Sequence, residues 1–169
     1  ELIMVSEALH EQHVADIAQQ IAQKNSRIIL IAGPSSSGKT TTSRRLAIQL
    51  LARGISPYPL ELDNYFIDRS KTPLDEEGKP DFEALEALDL NRLAQDIEKL
   101  LRGEKVQLPR YNFKSGLSEM GDEIQLKDGQ PLILDGHHDD YVLAVVDEIA
   151  AHDLCAIQDP NAGDEIVVK

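Results

Sequence analysis

Residues Gly33-Pro34-Ser35-Ser36-Ser37-Gly38-Lys39-Thr40 match the phosphate-binding pattern G-x-x-x-x-G-K-[ST] with no misfit. The pattern works through backbone geometry. Its glycines let successive N–H groups point into one concavity, which opens at a helix N-terminus and favours bound phosphate. Lys39 then reaches the β- and γ-phosphates of a nucleoside triphosphate, and the Thr40 hydroxyl binds Mg²⁺. The alternative is a plain Gly/Ser-rich turn; the pattern and its flanks together argue against it.

Phosphoryl transfer also needs a metal-holding carboxylate and a group that prepares the acceptor. Asp135 closes the apolar run Pro131-Leu132-Ile133-Leu134 and is the candidate for the Mg²⁺ shell, directly or through water. A turn aspartate before Gly136 is the alternative. Asp63 ends a second apolar run and opens a polar excursion. A carboxylate near the γ-phosphate can accept a proton from an acceptor hydroxyl, worth roughly 10²–10⁴-fold in rate. Position alone leaves Asp63 open between base and turn residue. His10 and His13 lie one helical turn apart but have no third ligand nearby, which favours a solvated helix face over a metal site. The cluster His137-His138-Asp139-Asp140 reads as a solvated turn more readily than as a metal site.

These groups need a scaffold. Arg27–Ala32 reads as a buried strand and Thr41–Arg53 as an amphipathic helix stopped by Gly54. Residues 7–24 form a first helix with Val14, Ile17, Ala18 and Ile21 on one face. Residues 58–63 read as a strand in which Pro59 must sit at the start or the edge. Residues 64–88 are a long polar excursion, of the kind that is functional or disordered. Asp89 caps a helix carrying Leu93, Ile97, Leu100 and Leu101, which ends at Gly103. Short extended pieces occupy 105–130, among them Val106–Leu108 and Glu123–Leu126. A strand at 131–136, a helix at 141–151, a strand at 153–157 and a polar tail follow. Such alternation predicts an α/β fold, a parallel sheet with helices on both faces. Ligands of these sheets bind beyond the carboxyl ends of the strands, where the phosphate loop, Asp63 and Asp135 all fall.

Bulk properties narrow the field. At 169 residues the chain suits one domain, or a domain with a short appendage. A net charge of −13 argues against non-specific binding to nucleic acid or to anionic membrane. A polyanionic ligand then needs local help from Lys39, Mg²⁺, the helix N-terminus and Arg44 or Arg45. The lone Cys155 excludes an intrachain disulfide and reads as a small buried residue, which fits a reducing, cytoplasmic compartment. No apolar run approaches the ~18 residues of a membrane span, and no secretory signal pattern is visible. A start at Glu1 rather than Met suits a processed or excised piece of a longer polypeptide. The sequence leaves a homo-oligomer open.

Three separated stretches carry a family resemblance: Ala32–Thr41, Leu62-Asp-Asn-Tyr-Phe-Ile-Asp-Arg69 and Leu108-Pro-Arg-Tyr-Asn-Phe-Lys-Ser-Gly116. Together with Asp81–Asp89 they resemble the uridine kinase and phosphoribulokinase family of P-loop kinases. Within it they are most similar to bacterial uridine kinase-like proteins, often fused behind a threonyl-tRNA-synthetase-like region. The resemblance spans about residues 8–138. It implies an N-terminal helix or linker from an upstream domain at 1–25, a P-loop kinase core at 26–138 and a divergent segment at 139–169. It assigns Gly33, Ser35, Ser36, Ser37, Gly38, Lys39, Thr40 and Thr41 to ATP (or GTP), and Thr40 and Asp135 to Mg²⁺. Asp63 matches the aspartate that activates a nucleoside 5′-hydroxyl. Tyr65 falls where aromatics lie near the acceptor, and Glu83, with Asp81, where carboxylates hold ribose hydroxyls. Tyr111 and Phe113 match aromatics lining the base pocket; without the resemblance they read as hydrophobic anchors of an irregular segment.

The implied activity is transfer of a γ-phosphate to the 5′-hydroxyl of uridine or cytidine. Alternatives are another small-molecule P-loop kinase, acting on a phosphosugar or pantothenate, and a non-catalytic nucleotide-binding module. Two departures stand out. Asp135 replaces the family's usual glutamate, and beyond it only His138 keeps register. Residues 139–169 contain no arginine and a single lysine, Lys169, where the family carries an arginine-rich lid helix that is expected to be missing here.

Overall fold

Five consecutive apolar residues, three of them isoleucine, form β1 (Ile28–Ala32). Such a run suits a strand buried on both faces, as in parallel sheets. In the computed structural model, which describes residues 2–32, 39–135 and 154–158, both faces of this strand are covered. The remaining elements are α1 (Leu2–Lys24), α2 (Lys39–Leu51), β2 (Tyr58–Glu61), α3 (Leu90–Leu101), β3 (Val106–Asn112), β4 (Leu117–Ile124), β5 (Leu132–Asp135) and β6 (Leu154–Gln158). The expected helix at 141–151, the His137–Asp140 cluster and the tail from 159 onward lie outside the described residues.

The main sheet has the order β2-β5-β1-β6, and all its strands are parallel. Alternation sends Ile29, Ile31 and Ile133 to one face, where they meet Val14, Ile17, Ala18 and Ile21 of α1 and Leu46 and Leu50 of α2. Ile28, Leu30, Leu60, Leu132 and Leu134 fill the other face, against Leu93, Ile97 and Leu100 of α3. The expected α/β architecture is therefore the observed one. Pro59 lies in β2, an edge strand among the described residues, where a missing ladder donor does no harm.

The first helix begins earlier than its buried stripe suggested, because its opening turns expose Met4, Val5 and Leu9 and carry no core face. Strand β2 stops at Glu61 rather than 63, since Leu62–Tyr65 turns as a 3-10 helix. The polar excursion that follows is ordered by local hydrogen bonds. The Asp75 carboxylate accepts from the amides of Glu77 and Lys79, a bridge pairs Leu74 with Pro80, and a second bridge pairs Phe66 with Leu88. Asp89 caps α3 as expected, accepting from the Arg92 amide at 3.0 Å.

A separate antiparallel hairpin, β3–β4, replaces the scattered extended pieces expected between 105 and 130. Strand β4 (LSEMGDEI) is exposed or half-buried along its whole length, so no apolar alternation marks it in the sequence.

Candidate active site

Register fixes what lies side by side at the carboxyl end of the sheet. Asp135 is paired with Ile31 on one side and with Glu61 on the other. At an inter-strand spacing of about 4.8 Å, the exit of β1, the last residue of β5 and the exit of β2 form one short row. Helix α2 begins at Lys39, directly after the expected phosphate loop. Gly33, Ser35, Ser36, Ser37 and Gly38 lie outside the described residues, as do the side chains of Lys39, Thr40 and Asp135. Thr41 is exposed in the first turn of α2, and so is Arg44 a turn later. Arg45 is engaged by Glu11 of α1 at 3.7 Å. Threonine and aspartate offer hard oxygen donors of the kind Mg²⁺ takes, so these residue types, one at the start of α2 and one ending β5, fit that ion.

Asp63 stands in the 3-10 turn Leu62–Tyr65, immediately beyond β2. Residues three apart eclipse in a 3-10 helix. Leu62 and Tyr65 therefore share one line, and both are buried. Phe66 follows the turn directly, its amide donating to the Asp63 carbonyl. Several bonds pin the turn. The Tyr65 carbonyl accepts from the Asp89 amide at 2.9 Å, and Asn64 Oδ1 accepts from the Tyr111 amide at 3.3 Å. The Tyr65 hydroxyl donates to Asp96 of α3 at 3.2 Å.

That last bond corrects an expectation. Tyr65, expected near an acceptor, is 1% exposed with its hydroxyl committed to Asp96. Burial first, and the Asp96 carboxylate second, push the Tyr65 phenol far above its ordinary range, so it stays a donor. Asp96 is itself raised by burial, against the opposing pull of Arg92, whose Nε lies 3.6 Å away.

Phe66 is the hub of an aromatic cluster, with edge-on contacts to Phe82 at 5.1 Å, Tyr111 at 5.6 Å and Phe113 at 6.3 Å between ring centroids. Tyr111 also meets Phe82 at 6.0 Å and Phe113 at 4.9 Å. Every phenylalanine in the chain is in this cluster. Phe113 is its open side, 56% exposed. The structure thus gathers segments 63–66, 81–83 and 111–113 into one place. Asp81 makes a tight turn there, its Oδ1 accepting from the Glu83 amide at 2.9 Å, and the Glu83 side chain is exposed. Phe66 and Phe82 were not anticipated as site residues. The concentration of the few phenylalanines in otherwise polar stretches was the available signal.

The Tyr111 hydroxyl is buried and has no hydrogen-bond partner among the described residues. A buried polar atom left unpaired costs about 1–3 kcal/mol, a cost that a ligand group can remove.

The sequence profile of the phosphoribulokinase/uridine kinase family matches residues 28–154. The chain belongs to this family. A uridine kinase from Leuconostoc citreum is 35% identical over 86 residues, covering 51% of this chain and 41% of the relative. A uridine kinase from Halobacterium salinarum is 29% identical over 118 residues, covering 70% of this chain and 48% of the relative. The chain thus spans less than half the length of these curated relatives. Among solved structures, a "possible uridine kinase" from Bacillus stearothermophilus superposes with a TM-score of 0.63 at 19% identity, covering 90% of this chain and 83% of that one. A candidate fructose transport system kinase from Silicibacter sp. TM1040 gives a TM-score of 0.61, also at 19% identity, covering 86% and 73%. At such identity these likenesses speak for the fold, that of P-loop kinases. Among the described residues, no helix is long and apolar enough to cross a membrane.

Proposed function

We propose that this family member transfers the γ-phosphate of ATP to the 5′-hydroxyl of a pyrimidine nucleoside, uridine or cytidine. One observation carries the reading: the aromatic cluster joins the Asp63 turn to the two other segments flagged for acceptor binding. Flat apolar walls with a few convergent polar groups suit a nucleobase and its ribose.

Each group then has a task. Lys39 and the backbone N–H groups of Gly33 and Ser35–Gly38, with the side chains of Ser35, Ser36, Ser37 and Thr41, hold the triphosphate; GTP presents the same phosphates. Thr40 and Asp135 would hold Mg²⁺, which would supply positive charge to the phosphate oxygens. Asp63 takes the proton from the 5′-hydroxyl as that oxygen attacks in line. Glu83, helped by Asp81, holds the ribose hydroxyls. Phe113 and Tyr111 line the base, and the Tyr111 hydroxyl meets a polar edge of it.

The test is ADP release by the chain with ATP, Mg²⁺ and a panel of nucleosides, phosphosugars and pantothenate. Release dependent on uridine or cytidine, and reduced roughly 10²–10⁴-fold by Asp63→Asn, is the expected result. ATP binding without turnover on any acceptor would instead establish a non-catalytic nucleotide-binding module.

A further inference from the structure

The hairpin that carries Tyr111 and Phe113 is a two-stranded ribbon, a form too small to hold its own shape in water. Its tip is fixed from outside, by the segment just beyond Asp63. The Arg69 guanidinium donates through Nη2 to the Phe113 carbonyl at 2.6 Å. The Arg69 amide donates to the Gly116 carbonyl at 2.8 Å, so backbone and side chain of one residue grip both ends of the turn 113–116. Next to it, Asp68 Oδ1 accepts from the Ser118 amide at 3.0 Å. The fit is close enough that a Cβ on Gly116 would lie 2.9 Å from the Arg69 Cβ.

We propose that Arg69 is a positioning residue for acceptor binding, holding the Phe113 ring as the outer wall of the acceptor pocket. Phe113 is 56% exposed, and its ring contacts are edge contacts with Tyr111 and Phe66. Such contacts leave the ring free to swing with its backbone, so the carbonyl grip decides where the wall stands. The same five-residue stretch, Phe66–Ser70, follows directly on the Asp63 turn, so the grip on the wall starts from the segment next to the base. Phosphate-loop groups are attached to other elements and do not share this link. The effect therefore belongs to the acceptor and not to ATP. This inference rests on the proposed nucleoside kinase reading.

A double-mutant cycle in the full chain tests it, using Arg69→Ala, Phe113→Ala and both together, with uridine as acceptor. The Arg69 amide bond to Gly116 survives the substitution, so the variant removes the guanidinium alone. Arg69→Ala is expected to raise the KM for uridine about tenfold, the scale of one charge-assisted hydrogen bond, with the KM for ATP and kcat within about twofold. In the Phe113→Ala background the same change should add less than about twofold. Arg69→Lys, which keeps the stem and the charge but not the fork, should fall between the two. A uridine KM unchanged in both Arg69 variants overturns the inference, and so does a full tenfold effect that persists without Phe113. If wild-type chain neither binds nor phosphorylates uridine or cytidine, the functional reading falls and this inference falls with it.

Discussion

Two tyrosine hydroxyls, both buried, have opposite fates in this chain, and they make opposite predictions. Tyr65 donates to Asp96, whereas Tyr111 has no partner among the described residues. Removing the Tyr65 hydroxyl leaves a buried carboxylate short of a donor, so Tyr65→Phe should destabilise by about 1–3 kcal/mol. Removing the Tyr111 hydroxyl takes away an unsatisfied atom, so Tyr111→Phe should leave stability unchanged or raise it by up to about 1 kcal/mol while weakening acceptor binding. Urea unfolding read beside uridine KM checks both. This pair also shows where the sequence stops being legible. Asn64-Tyr65-Phe66 places two aromatics side by side, both buried, and only the fold decides that the Tyr65 hydroxyl goes to Asp96 while the Phe66 ring meets the other aromatics. Strand and cap positions needed no such detail, which is why Asp89 was readable as a helix cap.

At the scale of elements, the buried parts announced themselves and the exposed ones did not. The isoleucines of β1 and the Leu93, Ile97 and Leu100 stripe of α3 follow burial, and burial leaves a period in the sequence. The hairpin leaves none on its outer strand. Its position comes from contacts distant in sequence, such as Asp68 with Ser118 and Asn64 with Tyr111, so its docking onto the Asp63 turn could not be read locally. Gly116 reports on that docking. It adopts φ of 72°, a left-handed conformation that disfavours other residues, and it faces Arg69 at close range. Gly116→Ala should cost about 1–2 kcal/mol from backbone strain alone, before any clash with Arg69 is counted. The expected readout is faster amide exchange at Ser118, with exchange in β1 and β5 little changed.

Across the whole molecule, the acidic character has a definite pH consequence through Asp68. The Ser118 amide, then the Lys71 ammonium, hold its carboxyl below the ordinary 3.8. Because the folded-state value lies below the unfolded one, the fold binds the ionised form preferentially. That stabilisation is present in full above the unfolded value and is lost as pH falls through the lowered one. Asp68→Asn still offers an oxygen to Ser118 but cannot titrate. Wild type should therefore exceed Asp68→Asn in urea midpoint at about pH 6, with the gap closing towards about pH 3. A gap independent of pH would mean that the charge contributes nothing.

In the proposed function, a phosphate-loop fold presents Asp63 to a nucleoside held against the Phe66 cluster. Isotope transfer tests it most directly, with γ-labelled ATP, Mg²⁺ and uridine, and with 5′-deoxyuridine as the acceptor lacking the reacting hydroxyl. Label appearing in uridine 5′-monophosphate, absent with 5′-deoxyuridine and reduced roughly 10²–10⁴-fold in Asp63→Asn, is the predicted result. Label transfer that Asp63→Asn leaves intact, or transfer only to an acceptor without a nucleobase, would contradict it.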